Sequence, residues 1–109
     1  MNTSKFRNVS SGTSYVLRAI REPGDVWHMI LNRMDERALR FALRYCLDLR
    51  TRMFTHESSR LRRLYPRAGG RFFDGKMTQF RSVGMYKLLS TRIPQLQERL
   101  RQQERSRRR

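Results

Sequence analysis

Residues 60 to 76, RLRRLYPRAGGRFFDGK, carry six cations and one acid, with one tyrosine and two phenylalanines set among them. Six like charges repel one another and are not buried without partners, so this stretch does not read as core. The chemistry such residues can do is recognition. A guanidinium fork grips phosphate through two hydrogen bonds and stacks on flat rings, and exposed aromatic rings stack on unpaired bases. Gly69 and Gly70 let a backbone approach closely. The candidate RNA contacts here are Arg60, Arg62, Arg63, Tyr65, Arg67, Arg71 and Lys76. Phe72 and Phe73 have two readings, as stacking surfaces or as a plug that returns the loop to the core, where aromatic residues are most often found.

A second cluster closes the chain. Residues 99 to 109 set six arginines against Glu104, a local +5 that equals the +5 of residues 60 to 76. From it Arg105, Arg107, Arg108 and Arg109 join the candidate RNA contacts. Residues 22 to 36 are the opposite, with Glu22, Asp25, Asp35 and Glu36 against Arg33. A surface built only for solubility would intersperse the signs. Trp27, Ile30 and Leu31 in that acidic segment are therefore the candidate protein interface.

The whole chain repeats the imbalance. Its 109 residues hold 25 Lys and Arg against 9 acids, a formal net charge of +16. That charge opposes compaction of the isolated chain and favours an anionic partner. Only Lys5, Lys76 and Lys87 are lysines, which leaves 22 arginines. Arginine excess alone has two explanations, phosphate binding or the drift of a GC-rich genome.

Catalysis has little to stand on. Cys46 is the only cysteine, and His28 and His56 are the only histidines, too few for a metal site. In His56-Glu57-Ser58 adjacent side chains on one helical turn point in different directions, so no triad forms. Gly69-Gly70 belongs to no phosphate-loop pattern. The expectation is a chain that is not an enzyme, with no cofactor, metal or small-molecule substrate.

The elements that position these residues are helical. Val26, Trp27, Ile30, Leu31 and Met34 share one helical face behind the turn Glu22–Asp25, with Asp25 as N-cap. From Ala38, a stripe of Phe41, Ala42, Tyr45, Cys46, Leu49 and Met53 is widened on one side by Leu39, Leu43 and Leu47. A face that broad implies more than one neighbour. Asp35 either caps this second helix or lies within one continuous rod. The pattern stops near residues 56 to 59, and Pro66, Gly69-Gly70 and Asp74-Gly75 interrupt the segment beyond it. A third helix is expected over about Lys76 to Thr91, and Pro94 suits the first turn of a fourth. The fold class is thus all-α, three to four helices with an irregular basic loop over 60–76 and extended basic termini. The organisation is a basic arm over 1–21, a small helical domain over 22–105 and a basic tail over 106–109. Residues 1 to 21 contain no acid, four serines and an apolar cluster at their end, which reads either as a retained organellar import signal or as a disordered basic arm. No run of about 20 apolar residues exists to cross a bilayer.

Leu64-Tyr65-Pro66-Arg67 resembles the LYR motif of small, basic, helical mitochondrial proteins that serve respiratory complexes and iron–sulfur assembly. In those proteins the tyrosine and arginine are contiguous within a helix, whereas Pro66 separates them here, so the chain is not assigned to that family. The expectation is a structural subunit of an organellar ribosome in the mitochondrial matrix, contacting ribosomal RNA and neighbouring ribosomal proteins within a large assembly. The alternative is an accessory subunit of a mitochondrial respiratory-chain or ATP synthase complex.

Overall fold

The computed structural model describes the backbone of residues 3–108 and the side chains of residues 12–108. Among the described residues the chain is all-α, with α1 Thr3–Ile20, α2 Gly24–Arg33, α3 Glu36–Leu64, α4 Gly70–Arg81 and α5 Gly84–Arg108. The expected class holds, but the helices are five rather than three or four.

The extra helices arise where composition masked an apolar stripe. Residues 3 to 20 form α1 rather than an extended arm, because Val16, Ala19 and Ile20 make a contiguous helical face that enters the core. At α2 the N-cap is Pro23, and Asp25 sits in the first turn, where its charge favours the positive helix end. The question of one rod or two is settled by Met34, extended at ψ 130°, and by Asp35, whose carboxylate accepts from the Ala38 N–H at 2.8 Å. Helix α3 then continues past Ser59 to Leu64, and Leu61 in its last turns is buried. It stops at Tyr65, which precedes proline and leaves the helical region.

The irregular loop expected over residues 60 to 76 is therefore only a five-residue link, Tyr65 to Gly69. Asp74-Gly75 does not break the chain. A helical glycine costs about 1 kcal/mol, less than is gained by keeping Phe73, Met77 and Phe80 on one partly buried face of α4. The real break comes at Ser82 to Gly84, where Gly84 adopts φ +63°, a conformation that favours glycine. Pro94 does not start a helix but lies inside α5. An interior proline costs about 3 kcal/mol, whereas burying Leu89, Ile93 and Leu96, all at most 2% exposed, returns about 1.5–3 kcal/mol each. Packing wins.

Helices α3 and α5 run antiparallel, since Glu36 and Arg40 at the start of α3 pair with Arg107 and Glu104 at the end of α5. The core lies between them and is completed by Val16, Ala19 and Ile20 of α1 and by Trp27 and Leu31 of α2. Side chains of α5 close the exposed ends of α1 and α2. Arg92 donates to the carbonyls of Ile20 at 3.1 Å and Glu22 at 2.9 Å, with its guanidinium 5.0 Å from the Trp27 ring centroid. Trp27 donates its indole N–H to Gln95 at 2.7 Å, Arg99 donates to the Asn32 carbonyl and Gln103 donates to the Met34 carbonyl. Orphan carbonyls at two helix C-termini thus find donors on a third helix.

This corrects the proposed protein interface. Trp27 and Leu31 are 1% and 5% exposed and Ile30 packs against the core. Their stripe is covered by α5, about 65 residues away in sequence and invisible to a local reading. The outer face of α2 includes His28, Met29, Asn32 and Arg33.

The long antiparallel pair makes an open molecule. Its radius of gyration is 17.2 Å, against about 13 Å for a compact domain of this length. It exposes 8437 Å², where a compact chain of 13.2 kDa exposes roughly 6,400 Å².

Candidate nucleic-acid interface

The corner where α3 gives way to α4 gathers the first basic cluster. Arg62 and Arg63 occupy the last turn of α3, where the negative end of the helix dipole favours cations. Leu61, 3% exposed, anchors that turn. Arg67 lies in the link and Arg71 in the first turn of α4. Arg62, Arg63, Arg67 and Arg71 are all exposed, and within the described residues none has an ion-pair or hydrogen-bond partner. The first turn of α4 holds no acid, and Gly69 caps it without a side-chain bond. Its amide groups and the four guanidinium groups therefore present positive charge together.

Three rings complete the corner. Tyr65 is 43% exposed and meets Phe72 edge to face at 4.8 Å, and Phe72 meets Phe73 at 6.1 Å. The Lys76 ammonium sits 5.6 Å from the Phe72 ring centroid. Phe72 and Phe73 are half-buried and brace Tyr65, an arrangement between the two sequence readings. Neither Gly69 nor Gly70 is required by the chain itself. Both avoid positive φ, and a Cβ on either would meet no atom within 4 Å. Their open surroundings leave the α4 N-terminus accessible to a ligand.

Arg60 belongs to the cluster in sequence but pairs with Glu57, which holds its guanidinium pKa above the usual value through a hydrogen bond and charge attraction. The C-terminal cluster behaves the same way. Arg107 meets Glu36 at 2.8 Å, Arg105 approaches Glu98 at 3.6 Å, and Arg101 binds Glu98 at 2.8 Å. Of the proposed C-terminal contacts, Arg108 is exposed with no partner among the described residues, and Arg109 lies outside them. Hydrogen bonding from Arg40, together with the charges of Arg107 and Arg40, holds the Glu36 carboxyl below its usual range against a smaller opposing effect of burial. The acidic segment read as facing other proteins thus receives the chain's own C-terminal cations.

Two further arginines had no local signal. Arg81 at the end of α4 stands 5.9 Å from the Phe54 ring of α3, and Arg92 is 8% exposed inside the core. Only the tertiary fold reveals either.

No group of three His, Cys, Asp or Glu that could hold a metal ion occurs among the described residues. Cys46 is buried and its thiol is pushed up to about 11, so it is a thiol and not a nucleophilic thiolate at neutral pH. Glu57 of His56-Glu57-Ser58 is engaged by Arg60. No described helix is long and apolar enough to cross a membrane. Comparison with known proteins found no matching family model, no similar curated protein and no similar solved structure.

Proposed function

We propose that this chain is a structural RNA-binding subunit of an organellar ribosome, held against ribosomal RNA by the α3–α4 corner. The observation that carries this reading is the set of four exposed arginines, Arg62, Arg63, Arg67 and Arg71, without partners among the described residues around an exposed tyrosine, while Glu36, Glu57, Glu98 and Glu104 each hold an arginine. Unpaired cations at a surface raise affinity for polyphosphate and do little for the fold. The ring of Tyr65 adds a stacking surface suited to an unpaired base. About 2,000 Å² of surface beyond that of a compact monomer supports a place inside a large assembly. The acid-free, serine-rich first 20 residues support import into an organelle.

Titration of a labelled single-stranded RNA with the full chain tests the reading. The logarithm of the binding constant should fall with the logarithm of salt concentration at a slope of about −3 to −4, as expected for four to six phosphates neutralised on a single strand. Salt-independent binding would sink it. The exposed area equally supports an accessory subunit of a mitochondrial membrane complex, and fractionation separates the two. Co-sedimentation with ribosomal subunits after detergent supports the first, and co-migration with a respiratory complex supports the second.

A further inference from the structure

On the face of α3 remote from the α4 corner, a groove of about 500 Å³ is lined by Arg40, Phe41, Leu43, Arg44, Leu47 and Leu100. The apolar stripe of α3 is wider than one neighbour can cover. Helix α5 takes Leu39, Ala42 and Cys46 into the core, while Leu43, Leu47 and Leu100 stay partly open and Phe41 is 44% exposed. Helix α1 passes beside this ring, since a Cβ on Gly12 would lie in ordinary contact with Phe41, at 3.4 Å. Arg37, Phe41 and Arg44 follow one another at helical spacing on this side, and neither Arg37 nor Arg44 has a partner within the described residues. No acid lines the groove.

We infer that this groove receives an acidic amphipathic helix of a neighbouring protein, its apolar anchors seated on Phe41, Leu43, Leu47 and Leu100 and its carboxylates on Arg44 and Arg37. Charge selects this occupant over the others. A second copy of the chain would bring a further +16 against a cationic rim. Residues 1 to 11 carry cations and no acid, so the chain's own beginning does not complement the rim. RNA fits less well, because Phe41 is the one ring lining the groove and the rest of the floor, Leu43, Leu47 and Leu100, is aliphatic and gives bases nothing to stack on. An apolar floor rimmed by cations matches a helix with anchors at i, i+3, i+4 and i+7 and acids beside them. The inference is independent of the RNA reading, since the groove and the α3–α4 corner share no residue.

The test uses the full chain and two fluorescein-labelled synthetic amphipathic peptides with leucines at those four positions. One carries glutamates beside the leucines and its twin carries lysines. Anisotropy should show the acidic peptide binding at least tenfold tighter, with that affinity lost in Phe41→Asp and Arg44→Glu and kept when Arg62, Arg63, Arg67 and Arg71 are all alanine. Replacing the leucines by serine should abolish binding. Equal binding of the twins, survival of binding in Arg44→Glu, or equal loss in the four-arginine variant would overturn the inference by leaving only diffuse charge attraction. Melting curves check that Phe41→Asp folds, and the exposed Arg44→Glu decides between the outcomes if it does not. In cells, a benzophenone side chain at position 41 should crosslink to an acidic helical peptide of another protein. Crosslinks to RNA, lipid or a second copy overturn it.

Discussion

The two ends of the α3–α5 pair carry the same formal charge and use it in opposite ways. At the α3–α4 corner, Arg62, Arg63, Arg67 and Arg71 face solvent with no partner among the described residues. At the far end, Arg40, Arg105 and Arg107 meet Glu36, Glu98 and Glu104, and Arg99 reaches the Asn32 carbonyl. Net charge over a sequence window is therefore not free charge. In the second cluster Arg101, Arg105 and Arg107 are held by Glu98 and Glu36, carboxylates of α5 and α3, and the first cluster is left available. One end holds the molecule together and the other is open to an anion.

The sharpest way to break this comparison is to remove an arginine of each kind. Arg92→Ala strips donors from the Ile20 and Glu22 carbonyls and a cation from the Trp27 ring. It should lower unfolding free energy by about 3 kcal/mol, read from urea melts. The four-alanine variant at 62, 63, 67 and 71 should leave the melting temperature unchanged, yet weaken RNA binding and flatten the salt slope by about 3. A fall in stability there would mean that the corner is structural. Smaller, and aimed at the ring, Tyr65→Ala should lose about 1–3 kcal/mol of single-stranded RNA affinity while Tyr65→Phe keeps it. An equal loss in both variants would point to the hydroxyl and away from stacking.

The smallest effect concerns the paired end. The folded state holds Glu36 below its usual range, so its pairs with Arg40 and Arg107 stabilise the fold above the unfolded carboxyl value. That contribution disappears as pH falls through the depressed folded value. Acidification of the wild type should loosen the α5 C-terminus, measured as faster amide exchange beyond Gln103, and Glu36→Gln should show this looseness already at neutral pH. RNA binding at the corner should not follow the same curve.

Particular residues show how far sequence reasoning reaches. The 3.6-residue recurrence of Ala42 and Cys46 places them on a buried face, and both are at most 1% exposed. The end of α3 is read too early, near residues 56 to 59, whereas the helix runs to Leu64 and stops at Tyr65, the residue before Pro66. Gly75 and Pro94 mislead, because local propensity weighs only a few kcal/mol and the buried faces on either side of each weigh more. Trp27 misleads for another reason. A helical stripe tells that something covers it, and here the cover is Gln95 and Arg92 of the same chain.

The helical class, the positions of the apolar stripes and the excess of arginine are written in the order of residues alone, because periodicity and charge are properties of residues and their near neighbours. Which arginines are free is not written there. Pairing depends on distance in space, and Glu36 meets Arg107 across 71 positions of chain.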